Sequence, residues 1–217
     1  MPRLAEKLAP IFARPAGRRF VLIRNGQSVA NEGGLLCGWL DPRLSVLGRR
    51  QARELAREIA QFLPKFASVN CSDLSRSREF ADIVLEFRKK PVPDPRLREI
   101  HFGDHEGLNY DLMTPAEQAN IDRFDYKAPN GESWGDVRAR LVQFLLERPP
   151  GNHLMFTHGG TICALTHGQG IDDILPNASL LALELSENGE PKYLLKHELD
   201  PTHLRDQLSQ VTRSASQ

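Results

Sequence analysis

The sequence predicts an α/β fold with three layers, α/β/α, around a mostly parallel central sheet. Three observations carry this. Short, continuous apolar runs of strand length recur along the chain. Longer stretches with apolar residues three and four apart alternate with them. Two of the apolar runs end abruptly in polar residues and glycine, at Arg24-Asn25-Gly26 and Thr157-His158-Gly159. Strands of a buried parallel sheet have this form, and such sheets bind ligands beyond the carboxyl ends of their strands.

The elements follow in order. "RFVLIR", Arg19 to Arg24, reads as a fully buried strand. Leu44 to Leu63 reads as a helix with Ala52, Leu55, Ala56, Ile59, Ala60 and Leu63 on one face, stopped at Pro64. "FASVNCSDL" is a second strand, and "SRSREFADIVLEF" returns to helical spacing. "LREIHFGDHEGL" is a loop or short strand ending in glycine. "GESWGDVRARLVQFLLE" is a helix with Val137, Leu141, Phe144 and Leu145 on one face, opened by Gly131, Glu132 and Ser133. "HLMFTHGG" is a strand that turns directly into the helix "TICALTHGQG". The stretch from Leu180 to Leu199 reads as two strands about an Asn188-Gly189 turn.

Composition narrows the classes of function. The chain has 217 residues, 40% of them hydrophobic and 26% charged, which suits one large globular domain. Lys+Arg and Asp+Glu both number 28, so net charge gives no reason to expect nucleic acid or an anionic membrane as partner. No apolar run approaches the ~18 residues of a membrane span. The three cysteines, Cys37, Cys71 and Cys163, are far apart and form no CxxC, which argues against a disulfide framework or a zinc site. Neither a metal nor a cofactor is expected. The first 19 residues before Phe20 hold five basic residues and one acid, Glu6. A short extra helix before the first strand is the simplest reading. A mitochondrial transit peptide stays open beside an otherwise cytoplasmic expectation. "NCS" at Asn70 and "NAS" at Asn177 fit a glycosylation pattern by chance. The expected organisation is an extension over 1–18, a domain over 19–203 and a polar tail over 204–217.

Five motifs now stand in one order: "LIRNGQSVAN", "CSDLSRS", "LREIHFGDHEGL", "PNGESW" and "FTHGG". In order and spacing, from Phe20 to Leu199, they resemble the histidine phosphatase superfamily, phosphoglycerate mutase-like proteins. The chemistry is consistent with the residue types. A phosphoryl group needs fixed cations and donors around its oxygens, and the planar guanidinium fork meets two oxygens at once. The resemblance assigns phosphate binding to Arg24 and Arg76, an asparagine contact to Asn31, and donation to the transferring phosphate to His158. Gln27 and Ser28 lie in the same turn, within expected reach of substrate, while Gly26 and Gly159 would keep backbone and phosphate close. Glu99 matches the family's general acid, a role that needs the carboxyl protonated before turnover. Glu106 is the weaker rival and is expected to be structural, as are His101, His105, His153, His167, His197 and His203. Glu132 and Ser133 are expected to support the pocket wall or cap a helix.

The family's first motif reads Arg-His-Gly, and its histidine is the nucleophile. Here the slot holds Asn25. An amide nitrogen has its lone pair delocalised into the carbonyl and cannot attack phosphorus, although it still hydrogen-bonds. Binding of a phosphate ester is therefore expected to survive and covalent catalysis to fail. Three accounts stay open: a pseudoenzyme that binds a phosphorylated ligand, a substrate-trapping substitution in an ordinary phosphatase, or a non-histidine route. That route would use water with Glu99 or His158, or an Asn25 deamidated at its glycine bond. Only 22 residues separate Leu108 from Gly131, without the long insertion of the family's mutases, so the chain looks like the compact phosphatases. Ser77, Phe80 and His105 depart from the family's usual residues and leave the substrate open. The expected partner is a small phosphorylated ligand, with neither nucleic acid nor membrane; a homodimer is left open.

Overall fold

A computed structural model describes residues 4–15, 17–171 and 173–199. The polar tail expected over 204–217 lies outside the described residues. The elements run α1 (Leu4–Phe12), β1 (Arg18–Arg24), α2 (Val29–Glu32), α3 (Val46–Ile59), β2 (Ser68–Cys71) and α4 (Ser75–Val84). They continue with β3 (Val92–Pro93), α5 (Pro115–Ile121), α6 (Trp134–Leu146), β4 (Gly151–Thr157), α7 (Gly159–Thr166), β5 (Leu180–Leu185) and β6 (Pro191–His197). The strands form one sheet in the order β3-β2-β4-β1-β5-β6. β2 pairs in parallel with β3 and β4, and β1 with β4. β5 is antiparallel to β1 and to β6. The parallel part comes from strands separated by helices, and the antiparallel edge from the short connection at Asn188-Gly189.

Every residue of β1 from Arg19 to Ile23 is buried, and alternate side chains feed opposite cores. Val21 and Ile23 join Leu55, Ile59, Phe80, Leu154 and Phe156 on one face. Phe20 and Leu22 join Leu141, Phe144, Met155, Ile162 and Leu165 on the other. This two-sided burial is why the strand reads as an unbroken apolar run rather than an alternating one. A third cluster, built on Ile100, Phe102, Ile121, Tyr126, Trp134 and Ala164, lies under the connection between β3 and α6.

α3 starts at Ser45, whose side chain accepts from the Gly48 N–H, and α6 starts at Ser133 in a reciprocal box with Asp136. Before β1, α1 buries Leu4, Leu8 and Ile11 in the same core as α3. Its three apolar positions, spaced by four and three, give it one buried face. Among the described residues no helix is long and apolar enough to cross a membrane.

Leu8 is fully buried and Leu112 is 84% exposed. Leu8→Ala should lower the free energy of unfolding by about 2–5 kcal/mol through lost burial and the cavity left behind. Leu112→Ala should change it by less than about 0.5 kcal/mol. Urea midpoints of the two variants check whether α1 is part of the cooperative fold.

Candidate functional site

The site begins with a register. Arg24 pairs with Thr157 at the last position of the parallel β1/β4 ladder, so the two strands deliver Asn25 and His158 side by side. The Asn25 N–H donates to the Thr157 carbonyl at 2.9 Å. The Asn25 carbonyl accepts from the Ala178 N–H and from Asn177 Nδ2, both at 3.2 Å. Asn25 is only 4% exposed, and its Nδ2 donates to the neighbouring Gly26 carbonyl at 2.8 Å. Gly26 packs against Gly48 and Phe80.

His158 is 1% exposed, and neither Nδ1 nor Nε2 has a hydrogen-bond partner. Burial pushes its pKa well below the ordinary histidine value, and the positive charges of Arg76, Arg140 and Arg24 push it in the same direction. A neutral imidazole therefore sits inside a positive field.

Each of these arginines is oriented by backbone carbonyls. Arg24 Nη1 donates to the Leu175 carbonyl. Its pKa is lowered by burial first; Glu99 acts against that and Arg76 with it. Its guanidinium lies against Gly159, where a Cβ would come within 2.9 Å of Cζ, so a side chain there would displace it. Arg76, on the first turn of α4, is 3% exposed. It donates at 2.7 Å to the carbonyls of both Leu40 and Gly38, and lies 3.5 Å from an Asp41 oxygen. The Cys37–Asp41 loop thus wraps this guanidinium. Glu106 grips the loop from the other side, its carboxylate accepting from the N–H groups of Gly38, Trp39, Leu40 and Phe102. Arg140 donates to the carbonyls of Arg96 and Glu99 and pairs with Glu132 at 2.8 Å.

Glu99, the expected acid, lies within electrostatic reach of Arg24 and against the residues that follow His158. Its carboxylate accepts from the N–H groups of Gly160 at 3.0 Å, Thr161 at 2.9 Å and Ile100 at 3.0 Å. The first two lie at the N-terminus of α7, where an anion suits the helix dipole. Gln27 and Ser28 make hydrogen bonds within the scaffold. Gln27 Oε1 accepts from the Ser45 hydroxyl at 2.7 Å, and the buried Ser28 caps α2 by accepting from the Asn31 N–H at 3.2 Å. Both are occupied in shaping the turn.

A cavity of about 550 Å³ opens beside this cluster. Arg24 and Asn31 line it, together with residues such as Phe102, Phe124 and Trp134. Asn25, Gln27, Ser28, Arg76, Glu99, His158 and Gly159 are not among its lining residues. The structure therefore brings Arg24, Asn25, Arg76, Glu99 and His158 to one end of the sheet, with Arg24 and Asn31 between that cluster and the cavity. Among the described residues no group of three or more His, Cys, Asp or Glu is placed to hold a metal ion.

Three contributors escape sequence reasoning. Asn177 bridges the Asn25 carbonyl and Asn31 Oδ1, the latter at 3.3 Å, although "NAS" suggested only a chance glycosylation pattern. Arg140 reads as one more polar position on α6. The Cys37–Asp41 loop has no periodicity at all, and partners far away in sequence, among them Arg76 and Glu106, define it.

Comparison with known proteins gives the chain a family. A family model described as histidine phosphatase superfamily (branch 1) matches residues 20–195. A 2,3-bisphosphoglycerate-dependent phosphoglycerate mutase of Bartonella henselae is 32% identical over 176 residues, covering 77% of this chain and 82% of the relative. The crystal structure of a phosphoglycerate mutase from Thermus thermophilus is 32% identical with a TM-score of 0.70, covering 84% of this chain and 99% of that one. A mycobacterial glucosyl-3-phosphoglycerate phosphatase complexed with VO3 is 32% identical with a TM-score of 0.66, covering 76% and 92%. On its matched length, its sheet order and the sequence of its strand-end motifs, the chain belongs to the histidine phosphatase superfamily.

Proposed function

We propose that this chain binds a phosphate monoester through Arg24, Arg76 and His158, with Asn31 and the Gly26 and Gly159 turns close by. Asn25 stands in the nucleophile's place and forms no covalent phosphoryl intermediate. The observation that carries this reading is the buried His158 imidazole, with both nitrogens unpartnered inside the field of three arginines. An unpaired buried polar group and a concentration of like charge are both costly in isolation. A phosphoryl group relieves both, since its oxygens accept from the imidazole and offset the guanidinium charge. Asn25 can add a hydrogen bond to such a ligand but has no electron pair to give to phosphorus.

The catalytic alternative has its own support, because the relatives are named for mutase and phosphatase activities. The mutase relative is matched over a comparable share of its own length. A short segment after Leu108 therefore does not separate phosphatase from mutase by itself. In the catalytic reading Glu99 would have to leave its cap on α7, or share it, to act as the acid.

Asn25→His is the direct test. Against a panel of phosphate esters the variant should turn over at least about 100-fold faster than the chain with asparagine, the order of change expected when a covalent nucleophile is restored. Equal turnover by the two would overturn the account of Asn25.

Inorganic phosphate at about 100 times its Kd should add about 2.7 kcal/mol to the unfolding free energy of the chain as it stands. The gain should vanish in Arg24→Ala, with scanning calorimetry as the readout.

His158 also predicts a pH dependence. Its native pKa lies below the unfolded value of 6.5, so below that pH the unfolded chain takes up a proton that the native chain does not. Its contribution should therefore be larger at about pH 7.5 than at about pH 5.5, falling as the pH drops through the unfolded value. His153 shifts in the same direction, so the difference between the chain and His158→Gln isolates the contribution. Denaturant titrations at the two pH values with equal loss in both proteins would sink this reading.

A further inference from the structure

Resting on the phosphate-ester reading, we infer that the alcohol portion of the ligand is aromatic or otherwise flat and apolar, carries no second anion, and is favoured by a cationic end. The cavity beside the arginine cluster is the place where that portion must lie, because Arg24 and Asn31 form its inner boundary. Its volume of about 550 Å³ falls in the range of small-molecule pockets. Its walls are ill suited to a sugar acid or a bisphosphate. Phe102, Phe124 and Trp134 supply aromatic surface, and among the described lining residues Arg24 is the only lysine or arginine. Three carboxylates, Asp111, Asp122 and Asp173, lie around the same cavity.

The two ends of the cavity therefore have opposite character. Arg24 and the charges behind it attract a dianion. The aspartates repel one, and they have no lysine or arginine beside them on the lining to cancel them. Asp122 accepts a hydrogen bond from the Tyr110 hydroxyl at 2.6 Å, which fixes the carboxylate without removing its charge. The aromatic wall is likewise held. Trp134 is buried, with its indole N–H directed to the Ile121 carbonyl at 3.4 Å, and Phe124 stacks on His167 with ring centroids 3.7 Å apart. A flat apolar body can pack on these rings, and an ammonium at its far end gains from both aromatic faces and aspartates. A carboxylate in that position would be desolvated next to like charge.

Calorimetric titration of the unmodified chain with four probes tests this: inorganic phosphate, phenyl phosphate, O-phosphotyramine and 3-phosphoglycerate. O-phosphotyramine should bind at least about tenfold tighter than phenyl phosphate, and phenyl phosphate at least about tenfold tighter than 3-phosphoglycerate. The advantage of O-phosphotyramine over phenyl phosphate should shrink with added salt, and should disappear in an Asp111→Asn/Asp122→Asn variant that still binds phosphate. The salt series on the unmodified chain stands by itself if that variant does not fold. If phosphate binds and 3-phosphoglycerate binds as tightly as the aromatic esters, the inference is overturned while the phosphate-ester reading survives. If phosphate itself does not bind, the phosphate-ester reading falls and this inference falls with it.

Discussion

Positive charge around one buried imidazole is the constraint to which the rest of the site answers. Arg24 and Arg76 are tied mainly to backbone carbonyls, those of Leu175, Leu40 and Gly38. A carbonyl fixes the direction of a guanidinium but leaves its full charge available, whereas a close carboxylate would neutralise it. Asp41 stands at 3.5 Å from Arg76, at the edge of ion-pair range. Arg140, by contrast, is paired with Glu132 and directs its other donors to the chain around Glu99. The arrangement is preorganised: the donors are held in place before any anion arrives, so binding need not order them.

The N-terminus of α7 adds a second positive element, and Glu99 already occupies it. Its carboxylate holds the Gly160 and Thr161 N–H groups, which ties the "LREI" segment to the helix that follows His158. The Thr161 hydroxyl donates to the Arg98 carbonyl at 2.8 Å and reinforces the same junction. One carboxylate thus joins two of the five motifs mechanically. The capping role that the geometry gives Glu99 and the chemical role that the resemblance assigns it fall on the same carboxylate.

What can be read from the sequence follows the physics of each element. β1 and β4 are buried on both faces, so their apolar runs are unbroken and end where the sheet ends. That alone locates Arg24, Asn25 and His158. α3 and α6 carry one buried face each, and their periods show it. The Asn188-Gly189 turn forms because the local sequence specifies it. α5, with seven residues, is too short for its period to stand out. β3, with two residues, leaves no pattern at all. The Cys37–Asp41 loop and the Asn177 bridge depend on partners 34 to 152 residues away, as with Asp41 to Ser75 and Asn177 to Asn25. Local sequence holds no record of such contacts. The turn that carries Gln27 and Ser28 is legible, but their hydrogen bonds to Ser45 and Asn31 aim them at the scaffold.

Asn25 joins these considerations. Its backbone is fixed from three sides, by Thr157, Ala178 and Asn177, and none of those bonds uses its side chain. The side-chain amide donates only to the carbonyl of the next residue. The position is therefore specified by the fold, while the identity of its side chain is left to chemistry. A residue in this situation can change what the site does to a bound phosphate without altering how the arginines hold it. In the proposed reading, an asparagine here would remove a reaction step and leave the recognition machinery in place, because the two functions would rest on different atoms of the same short turn.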